Sequence, residues 1–196
     1  MGRGFGLSLY FMKPLLVIAS GRCVWDDLEI VFPMLKETGF DSIAVNHMII
    51  HYPYRLTYAA SWHFDYLHRA IQARIYRGMK NKPISYGPKE FEGVDNVQRF
   101  RGEVLTTSGM YAARVGAELG YDKIVLAGLP YDDTGHFFDP PLDRKVKSSF
   151  TKFDYVGSSK KNWEKLRQKF DGRVKAVSGS LIDCFGEVTD EWLRQC

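Results

Sequence analysis

Short unbroken apolar runs alternate along the chain with stretches whose apolar residues recur at helical spacing. Leu15 to Ala19 is a run of the first kind, and Ser42 to Val45, Lys123 to Ala127 and Val174 to Val177 are short, mostly apolar segments that read as strands too. Each is bounded by turn formers, as strands buried on both faces are. Between them, Asp26 to Thr38 carries Leu28, Val31, Phe32 and Leu35 on one helical face, with Gly39 placed to end the helix. Phe64 to about Arg77 and Ser108 to Leu119 read as further helices, the second followed by Gly120. Leu56 to Ser61 is another candidate strand. This alternation predicts an α/β fold: a Rossmann-like, doubly wound, mostly parallel sheet flanked by helices.

The remaining segments have weaker patterns. Gly78 to Gly102 is rich in Gly, Pro, Lys and Asn and shows no period, with one irregular strand near Ile84 to Tyr86. Pro130 to Ser149 holds too many turn formers for a regular element, so a loop-rich lid is expected over 130–157. Trp163 to Phe170 and Thr189 to Gln195 read as short helices. The helix from Ser108 carries Gly109, Ala112, Ala113, Gly116 and Ala117, small residues that let a helix lie close on a sheet or a ligand.

With 196 residues the chain fits one domain, residues 1–196, in which 1–12 is a separable extension; either Met1 or Met12 suits as the start. The net charge of +4 is too small to imply nucleic acid, and no specific nucleic-acid binding is expected. Basic residues gather at Arg69 to Lys82, Arg144 to Lys152 and Lys160 to Lys175, as solvated faces or as a rim that attracts an anion. Three widely spaced cysteines, Cys23, Cys184 and Cys196, suggest neither a disulfide framework nor a zinc knuckle, and a cytoplasmic protein is expected. No apolar run is long enough to span a bilayer. Trp192 and Leu193 leave homo-oligomerisation open.

In a doubly wound sheet, ligands bind at the carboxyl ends of the strands. Ser20-Gly21, Asn46, Ser61-Trp62-His63 and Gly128 to Asp133 all fall at strand ends. Thr106-Thr107-Ser108-Gly109 opens a helix, where backbone N–H groups, the helix dipole and hydroxyls suit a phosphate. Thr107 or Ser108 serves equally well as a plain helix cap. His47 and His51 stand at metal-ligand spacing, but they flank Met48-Ile49-Ile50 and lack a zincin's glutamate, which favours packing. Tyr52-Pro53-Tyr54-Arg55 reads as a packed connector sooner than a stacking loop. Asp132-Asp133 is either a solvated turn or a holder of Mg2+. There is no Walker A loop and no Gly-x-Ser-x-Gly elbow.

Thr107-Ser108-Gly109-Met110-Tyr111, continuing through Ala117-Glu118-Leu119-Gly120-Tyr121-Asp122-Lys123-Ile124-Val125-Leu126-Ala127-Gly128, resembles the central block of the bacterial sialyltransferases of glycosyltransferase family 42. It is similar also to the related pterin-pyrophosphokinase-like Rossmannoid proteins. Thinner similarity extends through Phe138-Asp139, Tyr155 to Asn162 and Ile43-Ala44-Val45-Asn46. The resemblance implies that Ser20, Gly21 and Arg22 lie along a nucleotide phosphate and that Asn46 bonds the nucleotide or its sugar. It implies that Thr107, Ser108 and Gly109 hold ribose and phosphate, while Gly128 to Tyr131 line the base. The chain departs from the family pattern where Asp132 and His136 replace a pair of phosphate-binding tyrosines and Asp154 replaces the general-base histidine.

Three expectations follow. The first is a glycosyltransferase-like enzyme using a nucleotide-activated sugar, with no required cofactor, Asp154 or His136 as base, and an unidentified acceptor. An aspartate, with an ordinary pKa of about 3.9, is a weaker base at neutral pH than a histidine. The second is a diphosphate or phosphoryl transferase with Mg2+ on Asp132 and Asp133. The third is a non-catalytic nucleotide-binding or structural protein of the same fold.

Overall fold

The computed structural model describes residues 13–88, 97–99, 107–132, 134–139 and 155–195. Among these, seven strands form one sheet: β1 (Leu15–Ile18), β2 (Asp41–Val45), β3 (Tyr58–Ala60), β4 (Ile84–Gly87), β5 (Val97–Arg99), β6 (Ile124–Ala127) and β7 (Val174–Ala176). Their spatial order is β5-β4-β3-β2-β1-β6-β7, and every neighbouring pair is parallel. The helices are α1 (Val24–Thr38), α2 (Met48–His51), α3 (Phe64–Tyr76), α4 (Ser108–Glu118), α5 (Tyr155–Phe170), α6 (Leu181–Phe185) and α7 (Asp190–Arg194). The architecture is the Rossmann-like α/β fold that the alternation predicts.

Successive residues of a strand face opposite sides, so each buried strand feeds two cores. Leu15 and Val17 of β1 pack with Met110, Ala113, Trp163 and Phe185 on one face. Leu16 and Ile18 pack with Val24, Leu28, Val31 and Leu35 of α1 on the other. All four β1 side chains are fully buried, each contributing roughly 1.5–3 kcal/mol over exposure. Helix α4 lies close on the sheet: a Cβ on Gly116 would stand 2.4 Å from a Leu15 methyl. The small residues of this helix therefore serve contact with the sheet.

Several short elements were not predicted. Strand β5 reads Val-Gln-Arg at the sheet edge, where no apolar run is needed. Helices α2 and α6 are too short for a helical period to register. Helix α5 begins at Tyr155, ahead of the expected Trp163, because its first half is polar and small. The third strand, expected from Leu56 to Ser61, shortens to Tyr58–Ala60. Within 130–157, described residues 130–132 and 134–139 enter no helix or strand, whereas 155–157 already belong to α5, so the expected loop-rich region ends before Tyr155.

Strand order reverses at β1: β2 to β5 follow on one side, and β6 and β7 lie on the other. Loops leaving neighbouring strands part at such a point and leave a crevice at the carboxyl edge.

Candidate functional site

The crevice is built first from backbone. Where β1 and β6 end, Gly21 N–H donates to Gly128 O (2.8 Å), and Ala19 N–H to Ala127 O (2.9 Å). Gly128 has φ +70°, and a Cβ there would lie 2.2 Å from Ala19 O. A Cβ on Gly21 would meet Pro130 Cδ at 2.4 Å. Both turns need glycine because their backbones touch. Beneath them, the buried Asp27 accepts the Gly128 N–H at 2.7 Å through Oδ2.

Two further segments reach the same place. Asn46, after β2, adopts φ +50°, a conformation that Asn tolerates better than most residues. Its Oδ1 accepts the Ser61 hydroxyl at 2.7 Å. At the start of α4, Thr107 Oγ1 accepts the Met110 N–H (3.1 Å) and shares a 2.8 Å hydrogen bond with the Tyr131 hydroxyl. Thr107 is thus both the helix cap and part of the crevice wall. Ser108 Oγ accepts the Trp62 N–H at 3.0 Å, and the first turn of α4 carries no acidic residue. The positive end of the helix dipole has no carboxylate of its own helix to neutralise it.

The described part of the 130–139 loop folds back over the first turn. Phe137 N–H donates to Ser20 O (3.1 Å) and Arg22 N–H to Gly135 O (3.1 Å). The Arg22 side chain ties the loop down, with Nε on Thr134 O (2.9 Å) and Nη2 on Asp139 O (3.2 Å). Arg22 is absent from the cavity wall; as the structure stands, it clamps the loop instead of lining the expected phosphate position. Asp132 Oδ1 accepts from Thr134 N (3.0 Å) and Thr134 Oγ1 (2.5 Å), so this carboxylate organises its own turn.

The resulting cleft encloses about 100 Å³. Ser20, Gly21, Asn46, Thr107, Ser108, Gly109, Gly128, Tyr131, Asp132 and His136 all line it, together with Gly135 and Leu129. No lysine or arginine does so among the described residues. Hydroxyls, backbone N–H groups and a helix N-terminus are the donors an anion would find here.

His136 is a titratable residue on the cleft wall. Asp139 Oδ2 accepts its backbone N–H at 2.7 Å and lies 3.3 Å from its Nδ1. Burial lowers the His136 pKa below the ordinary value, against the opposing pull of Asp139. The ring stacks on Phe138 at 4.8 Å, with the His47 ring 6.4 Å away. His47 is itself lowered, by burial first and then by His136 and His51. Cys23, held by Ser178 and Asp27, has its thiol pushed up to about 12 by burial.

Other sequence candidates fall elsewhere. His47 and His51 pack against Phe138 and Phe137, respectively. Among the described residues no three His, Cys, Asp or Glu side chains cluster as metal ligands. His63 precedes α3 outside the cleft wall, while Tyr52 is buried in the connector. Thr106, Asp133 and Asp154 lie outside the described residues. Sequence reasoning missed Asp27 and passed over Asp139 as a site residue. Asp27 left a signal: it falls on the buried stripe Val24, Asp27, Leu28, Val31, where a carboxylate needs a partner.

No described helix is long and apolar enough to cross a membrane. No family model, curated protein or solved structure matches the chain.

Proposed function

We propose that the chain is a glycosyltransferase-like enzyme that binds a nucleotide-activated sugar in the cleft at the switch point. One observation carries the reading: segments far apart in sequence, after β1, β2 and β6 and at the start of α4, converge on one cavity whose wall includes the hydroxyls of Ser20, Thr107 and Ser108 and the side chain of Asn46. Phosphate oxygens sit at the α4 N-terminus near Ser108, and Asn46 and Ser20 face the nucleotide or sugar. Gly128 to Tyr131 flank the base.

His136, neutral at pH 7 because burial lowers its pKa, takes the acceptor's hydroxyl proton. The acceptor oxygen then bonds the anomeric carbon, while that carbon's bond to the phosphate oxygen breaks and its electron pair leaves with the nucleotide. Asp154 shares the candidacy for base on sequence grounds alone. The magnesium-dependent alternative has less support, because Asp132 Oδ1 is already engaged by Thr134.

The test is thermal unfolding with a panel of nucleotides and nucleotide sugars, with and without EDTA. A rise in Tm with one nucleotide sugar, unchanged by EDTA and accompanied by slow hydrolysis of that sugar, is the expected result. A shift abolished by EDTA would replace the proposal with metal-dependent diphosphate transfer. No shift with any ligand would leave a non-catalytic protein of this fold.

A further inference from the structure

The turn that carries His136 contains a carboxylate with two bonds to one residue. Asp139 Oδ2 accepts the His136 backbone N–H at 2.7 Å and stands 3.3 Å from Nδ1 of the same ring. The chain closes around this oxygen from the other side too: a Cβ on Gly135, at φ +83°, would lie 2.7 Å from it. Asp139 N–H donates back to His136 O at 3.1 Å, and Arg22 Nη2 holds the Asp139 carbonyl at 3.2 Å. The carboxylate is therefore fixed from its own turn and from the loop after β1. Its side chain and that of His136 are 28% and 27% exposed, so water screens their contact only in part.

We propose that Asp139 is a positioning residue that holds neutral His136 as its Nδ1–H tautomer, so that Nε2 carries the basic lone pair. A carboxylate beside Nδ1 stabilises a proton there and orients the ring, as carboxylates do for catalytic histidines generally. The inference rests on the proposed function only for what Nε2 then does, namely accept the proton of the acceptor hydroxyl. Among the described residues, the charged and titratable groups near the ring include Asp139, His47 with its ring 6.4 Å away, Arg22 through the Asp139 carbonyl, and Asp132 on the same cleft wall. Burial lowers the ring's pKa while Asp139 raises it. Removing the charge of Asp139 should therefore lower it further.

The experiment is a long-range proton–nitrogen NMR titration of the intact protein labelled with ¹⁵N-histidine, His136 being assigned by its loss in His136→Gln. Wild-type protein should show the Nδ1–H tautomer at high pH. Asp139→Asn should lower the midpoint and shift the ring toward the Nε2–H form. In a transfer assay it should reduce kcat by ~10²-fold or more, with KM changed less than ~3-fold, and Asp139→Glu should restore part of the rate. A wild-type ring in the Nε2–H form overturns the proposal without any variant, and so does a tautomer unchanged in Asp139→Asn. If the tautomer behaves as stated but His136→Gln transfers at the wild-type rate, His136 is not the base and Asp154 takes that role, while the positioning of the ring by Asp139 stands; no transfer by the wild type under any condition would instead remove the proposed function.

Discussion

The sheet has a concave feature at each edge, and the two are built by opposite means. At the carboxyl edge the cleft of about 100 Å³ is formed by chain turns in close contact, with Gly21 against Gly128 and Pro130, and positive φ at Asn46, Gly128 and Tyr131. At the amino edge a larger groove, about 670 Å³, is walled by side chains: Phe32, Phe40, Tyr54, Lys36 and Arg55 beside Thr57. Volume alone would favour the second. The first is where the strand order reverses, so diverging loops meet there, and a helix N-terminus points in. A cavity whose shape is set by backbone holds its donors in place before a ligand arrives. One walled by long side chains must order them on binding, at a cost of about 0.5–1.5 kcal/mol each.

The strongest way to break this contrast is Gly128→Val. The substitution forces a β-branched residue to φ +70° and drives its Cβ against Ala19 O. Strain and clash together should cost at least ~3 kcal/mol, measured as a lowered midpoint of urea unfolding. Gly120→Ala is the control: its φ is +87°, but nothing lies within 4 Å of the added carbon. It should cost about 1 kcal/mol. Equal losses at both positions would mean that backbone contact at the carboxyl edge is not what the glycine serves.

Asp27→Ala comes next. It leaves the Gly128 N–H buried without its acceptor, at a cost of ~1–3 kcal/mol. Because that bond sets the turn leading into Gly128 to Tyr131, the Tm rise produced by a bound nucleotide should also shrink. Full stability in this variant, with the ligand shift intact, would remove Asp27 from the account of the cleft.

These two residues also show which parts of the site the sequence made legible. Gly128, Ser20, Asn46 and Thr107 each end a strand or open a helix, and each such signal is local, carried by the few residues around it. The strands themselves were legible because β1, β2 and β6 are almost wholly buried and read as apolar runs. Asp27 was not, since its partner Gly128 is 101 residues away and acidic residues are common in a helix's first turn. Arg22 misled for the same reason: beside Gly21 it looked like a phosphate ligand, yet its guanidinium closes onto Thr134 and Asp139, over a hundred residues on. Asp139 lay within reach of His136 in sequence, but only the folded turn brings its carboxylate back to Nδ1.

The smallest expected effect belongs to the amino edge. Tyr54 is 58% exposed and meets Phe32 and Tyr52 edge-on at 5.5 Å each. Tyr54→Ala removes these contacts and should cost ~1 kcal/mol, lowering Tm by about 2–4 °C. No strand end or helix start of the candidate site touches this groove, so the Tm rise from a nucleotide sugar should match that of the wild type. If Tyr54→Ala instead abolished that rise while Asp27→Ala spared it, the larger, side-chain-walled groove would be the ligand site. The assignment built on the strand-order reversal would then be wrong.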